Sequence, residues 1–158
     1  MSVQSVKEYL KKFNAETRVL ELAESSATVE LAASALHCEP ERIAKTLSFK
    51  IGEGCILIVA AGDARIDNAK YKARFGTKAK MLSADEVPEL TGHPVGGVCP
   101  FAAKEGVEIY LDNSLKRFET VFPACGSGNS AIELTIGELE RFSGASGWVD
   151  VSRDSAPV

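Results

Sequence analysis

The chain has 158 residues, 45% of them hydrophobic and 25% charged, with a net charge of −4. That balance belongs to a globular domain long enough to bury a core, and it excludes a largely disordered chain. No apolar run reaches the length needed to span a bilayer, and an acidic total argues against a general nucleic-acid binder.

The N-terminus lacks the apolar core of a signal peptide, so a cytoplasmic protein with no membrane association is expected. Ser5 to Phe13 carries apolar residues at helical spacing, and Thr17 to Leu22 alternates like a strand. Thr28 can cap a helix through VELAASAL, and EPERIAK predicts a short helix with Pro40 near its first turn. TLSFKI and CILIVAA are two strands around the turn GEG, a hairpin signal. DNAKYKARFG is a basic helix stopped by Gly76, followed by the short strand KAKML. Ser83 and Glu86 form a capping box for ADEVPEL, which ends at Thr91 and Gly92.

After a glycine-rich loop come the strand VEIYLD, the helical turn NSLKRF and the strand ETVFPAC. GSGN turns the chain into SAIEL. Thr135 and Glu138 form a second capping box for IGELERF, which Gly144 terminates, and GWVDV is a last short strand. One domain is expected over residues 1–152, with 153–158 as a frayed C-terminal tail. About seven strands with roughly four or five helices, in this irregular order, predict an α+β domain with a mixed, largely antiparallel sheet.

The hydrolase signatures GxSxG and HExxH and the phosphate loop GxxxxGK[ST] are all absent. Cys38, Cys55, Cys99 and Cys125 are too scattered for a zinc site, so no metal and no cofactor are expected. Of the two histidines, His37 lies near a helix end and reads as structural or exposed. His93 lies inside TGHPVGGVCPF, where Cys99 raises the possibility of a thiol nucleophile, although Pro100 and Phe101 leave it no following helix N-terminus. Lys45 stands between a helix and a strand among Ile43, Ala44 and Leu47. Its ammonium could meet a phosphate or a polarised carbonyl, or simply snorkel to water.

Gly96 and Gly97 strip bulk from the main chain and Pro100 stiffens the exit, an arrangement that can converge N–H groups on one small acceptor or make a tight connection. Gly126 to Asn129 offer a second bare turn that could line the same cleft. Arg65, Lys70, Lys72, Arg74, Lys78 and Lys80 cluster around one acid, Asp67, while the rest of the chain is acidic. Such a cationic face suits one docked piece of polyanion, or solubility alone.

Three blocks in this order, KTL at Lys45 to Leu47, TGHPVGGVCPF at Thr91 to Phe101 and CGSGNSAIELTIGEL at Cys125 to Leu139, resemble the YbaK/EbsC-type aminoacyl-tRNA deacylases. That family is related to the editing domain inserted in bacterial prolyl-tRNA synthetases, and the likeness runs from about Ser26 to Val151. The resemblance implies a trans-editing hydrolase of mischarged tRNA, with tRNA(Pro) carrying Cys, Ala or another small noncognate amino acid as substrate. It implies that Lys45 is the main functional residue, with Gly96 and Gly97 supplying N–H donors. The matching GxxxP element, Gly96 to Pro100, would lie against the aminoacylated 3′ end. Thr46, His93, Val98, Cys99, Pro100, Gly128 and Asn129 are then expected to bind substrate. Phosphates of the acceptor stem are assigned to Lys70, Lys72 and Arg74 from charge. The expected partners are mischarged tRNA and a prolyl-tRNA synthetase complex, for a monomer or homodimer. Some relatives that remove alanine carry Asn where this chain has Thr46, which points to the cysteinyl-tRNA(Pro) branch, yet Ala131 stands where that branch implies an acidic residue. The alternatives are a catalytically weak tRNA- or nucleotide-binding relative and a Cys99-dependent hydrolase of small esters.

Overall fold

The run CILIVAA becomes a strand whose residues from Cys55 to Ala61 are all buried. Such a strand must be covered on both sides, and the rest of the chain is arranged to do that. The structure, a computed structural model, describes residues 2–154. In chain order its elements are α1 (Ser2–Leu10), β1 (Leu20–Glu21), α2 (Val29–Leu36), β2 (Ile43–Ile51), β3 (Gly54–Ala61), β4 (Ala64–Ile66), α3 (Asn68–Phe75), α4 (Glu86–Thr91), β5 (Glu108–Asp112), β6 (Thr120–Pro123), β7 (Ser130–Ala131), β8 (Leu134–Thr135), α5 (Ile136–Ser143), β9 (Gly147–Val149) and β10 (Ser152–Asp154).

Six strands form one sheet in the order β8-β6-β2-β3-β5-β9. The GEG turn makes β2 and β3 an antiparallel hairpin, with Lys45 opposite Ala60 and Thr46 opposite Val59. The segments carrying α3 and α4 return β5 parallel to β3, and β2–β6 and β5–β9 are parallel as well. Among the strands of the described residues, the antiparallel pairs are β2–β3, β6–β8 and the two small pairs β1–β7 and β4–β10, with isolated antiparallel bridges at Phe49–Met81 and Ala124–Ala131. The architecture is α+β with a mixed sheet, built on a central antiparallel hairpin with parallel neighbours on either side.

Alternation along β3 feeds two cores. Leu57 and Val59 face a cluster with Val6 and Leu10 of α1 and Leu139 and Phe142 of α5. Ile56 and Ile58 face Phe49 and Tyr71, the latter from α3. Each fully buried Leu, Ile or Val contributes roughly 1.5–3 kcal/mol, so this one strand anchors both layers. The expected caps are present: Thr28 accepts from Leu31 N–H at 3.1 Å, and Thr135 and Glu138 satisfy each other's backbone groups. Ser83 and Glu86 exchange the reciprocal bonds of a capping box.

Four expectations change. EPERIAK is a 3-10 turn only over Pro40–Arg42, because Ile43 and Ala44 are drawn into pairing with Phe122 and Pro123. KAKML contributes only a bridge between Met81 and Phe49, and the strand expected over Thr17–Leu22 shrinks to two residues after a 3-10 turn. The tail does not fray at Arg153. Arg153 and Asp154 belong to β10, which pairs with β4; the rest of the expected tail, 155–158, lies outside the described residues. The fully buried carboxylate of Asp112 fastens this end, accepting from Ser114 N–H at 2.9 Å, Val151 N–H at 3.0 Å and Ser152 Oγ at 2.5 Å.

Candidate active site

At the edge of the β2–β3 hairpin lies a cleft of about 370 Å³. The start of α2 and the strap before it supply Ser26, Ala27, Val29 and Ala32. β2 supplies Ile43 to Ser48, and Val95, Gly96 and Val98 close it from the glycine-rich loop. Thr28, Met81, Val87, Phe122, Ala124, Ser130 and Ala131 complete the wall. Among the described residues that line it, Lys45 is the only one with an ionisable side chain. Two hydroxyls in this lining, Ser26 Oγ and Thr46 Oγ1, are buried without a hydrogen-bond partner, a state that has a desolvation cost unless a bound molecule satisfies them.

Lys45 is half-buried, and its ammonium donates to the carbonyls of Gly62 (3.4 Å) and Ala64. An ammonium has three donors, so one N–H is left for a substrate. Burial lowers its pKa below the ordinary lysine value; Asp63 and Glu30 oppose that shift and Arg65 adds to it. The turn carrying both carbonyls is itself fixed. Gly62 sits where a methyl group would fall 2.0 Å from the Pro40 carbonyl oxygen, and Asp63 is clamped by the Arg117 guanidinium. The neighbouring Ala61 N–H is held by Ser114 Oγ at 3.0 Å. Lys45 thus projects from a rigid hairpin onto a rigid turn.

The bare loop has a structural answer of its own. A methyl group at Gly97 would lie 2.7 Å from Ser127 Cα and N and 2.8 Å from Gly126 C, so the loop 126–129 nests against it. Gly97 N–H donates to the Pro94 carbonyl at 3.0 Å and is not free to serve as an oxyanion donor. Gly96 does face the cleft, in the left-handed region at φ +85°, with Ala27 3.3 Å from where its Cβ would be. Asn129 and Gly128 act on the strap: Leu22 N–H donates to Asn129 O (2.7 Å) and Ser26 N–H to Gly128 O (2.6 Å). Two interlocked loops therefore hold Ser26 and Ala27 over the cleft.

The family model for the aminoacyl-tRNA editing domain matches residues 23–142. The chain belongs to the aminoacyl-tRNA editing domain family. It is 58% identical to the uncharacterized protein YwhH of Bacillus subtilis (strain 168), with 98% of this chain and 99% of that one covered. It is 26% identical to a proline–tRNA ligase of Bacillus cytotoxicus, where 84% of this chain matches only 24% of the ligase. A solved structure described as a candidate trans-editing enzyme for prolyl tRNA synthetase superposes with a TM-score of 0.86 at 30% identity, over 96% of this chain and 97% of that one.

In this editing-domain chain the cleft brings together Lys45, Thr46, Gly96 and Val98 from the sequence-derived set. It does not bring in Gly97, His93, Cys99, Pro100, Gly128 or Asn129. His93 is buried, its Nε2 2.8 Å from the Phe101 carbonyl oxygen, and burial holds its pKa below the usual histidine value. Cys99 is fully buried, and its thiol is pushed up to about 12, with Sγ donating to the same carbonyl. A thiol in that state is no nucleophile at neutral pH, and His93 and Cys99 form an internal knot beneath the loop. Of the basic residues on α3, Lys70 is occupied by Asp150 (3.1 Å) and the Ser152 carbonyl, and Arg74 stacks over the rings of Phe75 and Tyr110. Lys72 is exposed, and none of the three lines the cleft. The strap residues Ser26, Ala27 and Val29 were missed; the Thr28 cap marks their place in the chain, but only the tertiary loop contacts turn them toward Lys45.

Among the described residues no group of His, Cys, Asp and Glu is placed to hold a metal ion, and no helix is long and apolar enough to cross a membrane.

Proposed function

We propose that this editing-domain protein is a free-standing deacylase that hydrolyses the ester between a noncognate amino acid and the terminal ribose of tRNA. The proposed substrate is tRNA(Pro) carrying cysteine, alanine or another small amino acid. One observation carries the reading: a small, apolar-walled cleft whose sole ionisable lining group is the half-buried ammonium of Lys45. The likeness to proline–tRNA ligases and to the trans-editing structure supports the choice of tRNA(Pro).

An aminoacyl ester is already activated, so orientation and stabilisation of developing charge are enough. The lining holds no base to activate a protein hydroxyl, so the nucleophile is water or, with cysteine, the substrate's own thiol. The attacking oxygen or sulfur adds to the ester carbonyl carbon and gives up its proton, and negative charge gathers on the carbonyl oxygen. The spare Lys45 N–H, with donors from Gly96 or Val98, stabilises it. The C=O bond then re-forms as the C–O bond to ribose breaks, and the ribose oxygen takes the proton that the nucleophile gave up, releasing the free amino acid or, after attack by the thiol, its cyclic thioester. Apolar walls select by size, and a hydrophobic pocket discriminates against one methylene by only about 10- to 200-fold. Thr46 and Ser26 offer hydroxyls to polar groups of the substrate.

The test is ester loss from tRNA(Pro) charged with cysteine, alanine, serine or proline, using wild type, Lys45→Ala and Cys99→Ala. Wild type should clear at least one noncognate ester and spare prolyl-tRNA. Lys45→Ala should lose about 10²- to 10³-fold in rate, the usual cost of one such electrostatic donor. Cys99→Ala should keep its activity. A wild type inert toward all four esters would leave a tRNA-binding relative instead.

A further inference from the structure

β4 and β10 form a two-stranded antiparallel pair set apart from the main sheet, with Arg153 directly opposite Arg65. Their neighbours Ala64 and Ser152 are buried, and both arginines are exposed, as alternation along a strand requires. Like charges placed directly opposite one another destabilise a strand pair. Among the described residues neither arginine forms an ion pair with a carboxylate. Two nearby acids, Asp67 and Asp63, hold hydrogen-bond partners other than these arginines. Asp67, which feels the charge of Arg153, accepts from Lys70 N–H at 3.0 Å to cap α3, and Asp63 is held by Arg117. Lys70 is itself tied to Asp150 and to the Ser152 carbonyl. Arg65 directly follows Ala64, whose carbonyl accepts from Lys45, so the pair stands beside the cleft's one ammonium.

We propose that Arg65 and Arg153 form a phosphate fork that holds the phosphodiester backbone of the RNA strand whose 3′ end enters the Lys45 cleft. Two planar guanidinium groups side by side match phosphate oxygens bidentately, and an anion between them relieves the repulsion that the free protein carries. This assignment moves the polyanion contact from α3 to the β4–β10 ribbon, and it rests on the deacylase reading for the identity of that RNA.

The experiment titrates fluorescently labelled, uncharged tRNA(Pro) against wild type, the double variant Arg65→Gln/Arg153→Gln, and Lys72→Gln, between about 50 and 200 mM salt. The double variant should bind about tenfold more weakly, with the salt slope flattened by about 0.7 for each single-strand phosphate released. Lys72→Gln should change neither. Because the substitution removes a repulsion, the free double variant should melt no lower than wild type. Unchanged affinity and slope, or equal losses in Lys72→Gln, would overturn the fork. So would a fall in melting temperature of more than about 3 °C, which would assign the arginines to folding. The two proposals fail separately. A wild type that binds tRNA through the arginines but cleaves no ester sinks the deacylase reading alone. A wild type that cleaves with a KM indifferent to both arginines sinks the fork alone. Absence of any tRNA binding by wild type sinks both.

Discussion

Replacing Gly97 by alanine tests the interlocked loops directly. The new methyl group would stand 2.7 Å from Ser127 Cα and N and 2.8 Å from Gly126 C, where ordinary contact begins at 3.4 Å. All three obstacles are backbone atoms, so no rotamer change relieves the overlap, and the loops must part by roughly 1 Å or the strain must be absorbed. Overpacking of this kind costs about 1–3 kcal/mol. For a chain of this size that is a melting temperature lower by roughly 2–12 °C. Parting the loops also pulls Gly128 and Asn129 away from Ser26 and Leu22, whose bonds measure 2.6 and 2.7 Å, so the strap over the cleft should loosen and KM should rise. Gly137→Ala is the matched control. It sits in α5 with nothing within 4 Å of the added carbon, and it should gain up to about 0.5–1 kcal/mol from reduced chain entropy. Thermal melts together with steady-state deacylation read both effects. If Gly97→Ala melts within about 1 °C of wild type with an unchanged KM, the interlock does not hold the strap.

Three further outcomes are expected. Asp63 is one of the charges that raise the Lys45 pKa, against the dominant lowering by burial. Asp63→Asn should therefore shift the Lys45 titration, read by NMR of the labelled side chain, to lower pH, and the alkaline limb of deacylation should move with it; an unmoved titration refutes the coupling. Glu138 is held down to about 2, first by Arg18 and then by the Thr135 N–H. A depressed carboxylate stabilises the fold above its unfolded value, about 4.3, and loses that contribution as pH falls toward 2. Glu138→Gln should therefore flatten the acid limb of stability, and Thr135→Ala should cost about 1 kcal/mol at neutral pH by urea melts. In native protein at mildly alkaline pH, iodoacetamide should label the partly exposed Cys38 first, with Cys55, Cys99 and Cys125 protected until unfolding; rapid native labelling of Cys99, read by mass spectrometry, would contradict its burial.

Features legible in the chain itself are those set by neighbours in sequence. Thr28, Ser83 with Glu86, and Thr135 with Glu138 cap helices because the partner groups lie three residues away. The GEG hairpin and the apolar run after it placed the central strands. What stayed hidden depends on distant partners. Ile43 and Ala44 left a helical pattern because Phe122 and Pro123 offered a ladder, and Arg153 joined a strand because the backbone of β4 lay opposite. In the cleft, Lys45 and Gly96 were readable from the motifs that carry the family resemblance. The resemblance gives Gly97 an N–H donor role and Asn129 a substrate contact, yet backbone contacts across the fold engage both in loop packing. His93 and Cys99 sit in the same motif, and only burial reveals that they face inward.

The Asp112 carboxylate has a practical implication for anyone shortening or tagging this protein. A chain cut at Asp150 would strand a fully interior anion with two of its three donors, Val151 N–H and Ser152 Oγ, deleted. Expression designs that trim the C-terminus for crystallisation should stop no earlier than the end of β10, since Val151 and Ser152 act as a latch reaching back to the end of β5.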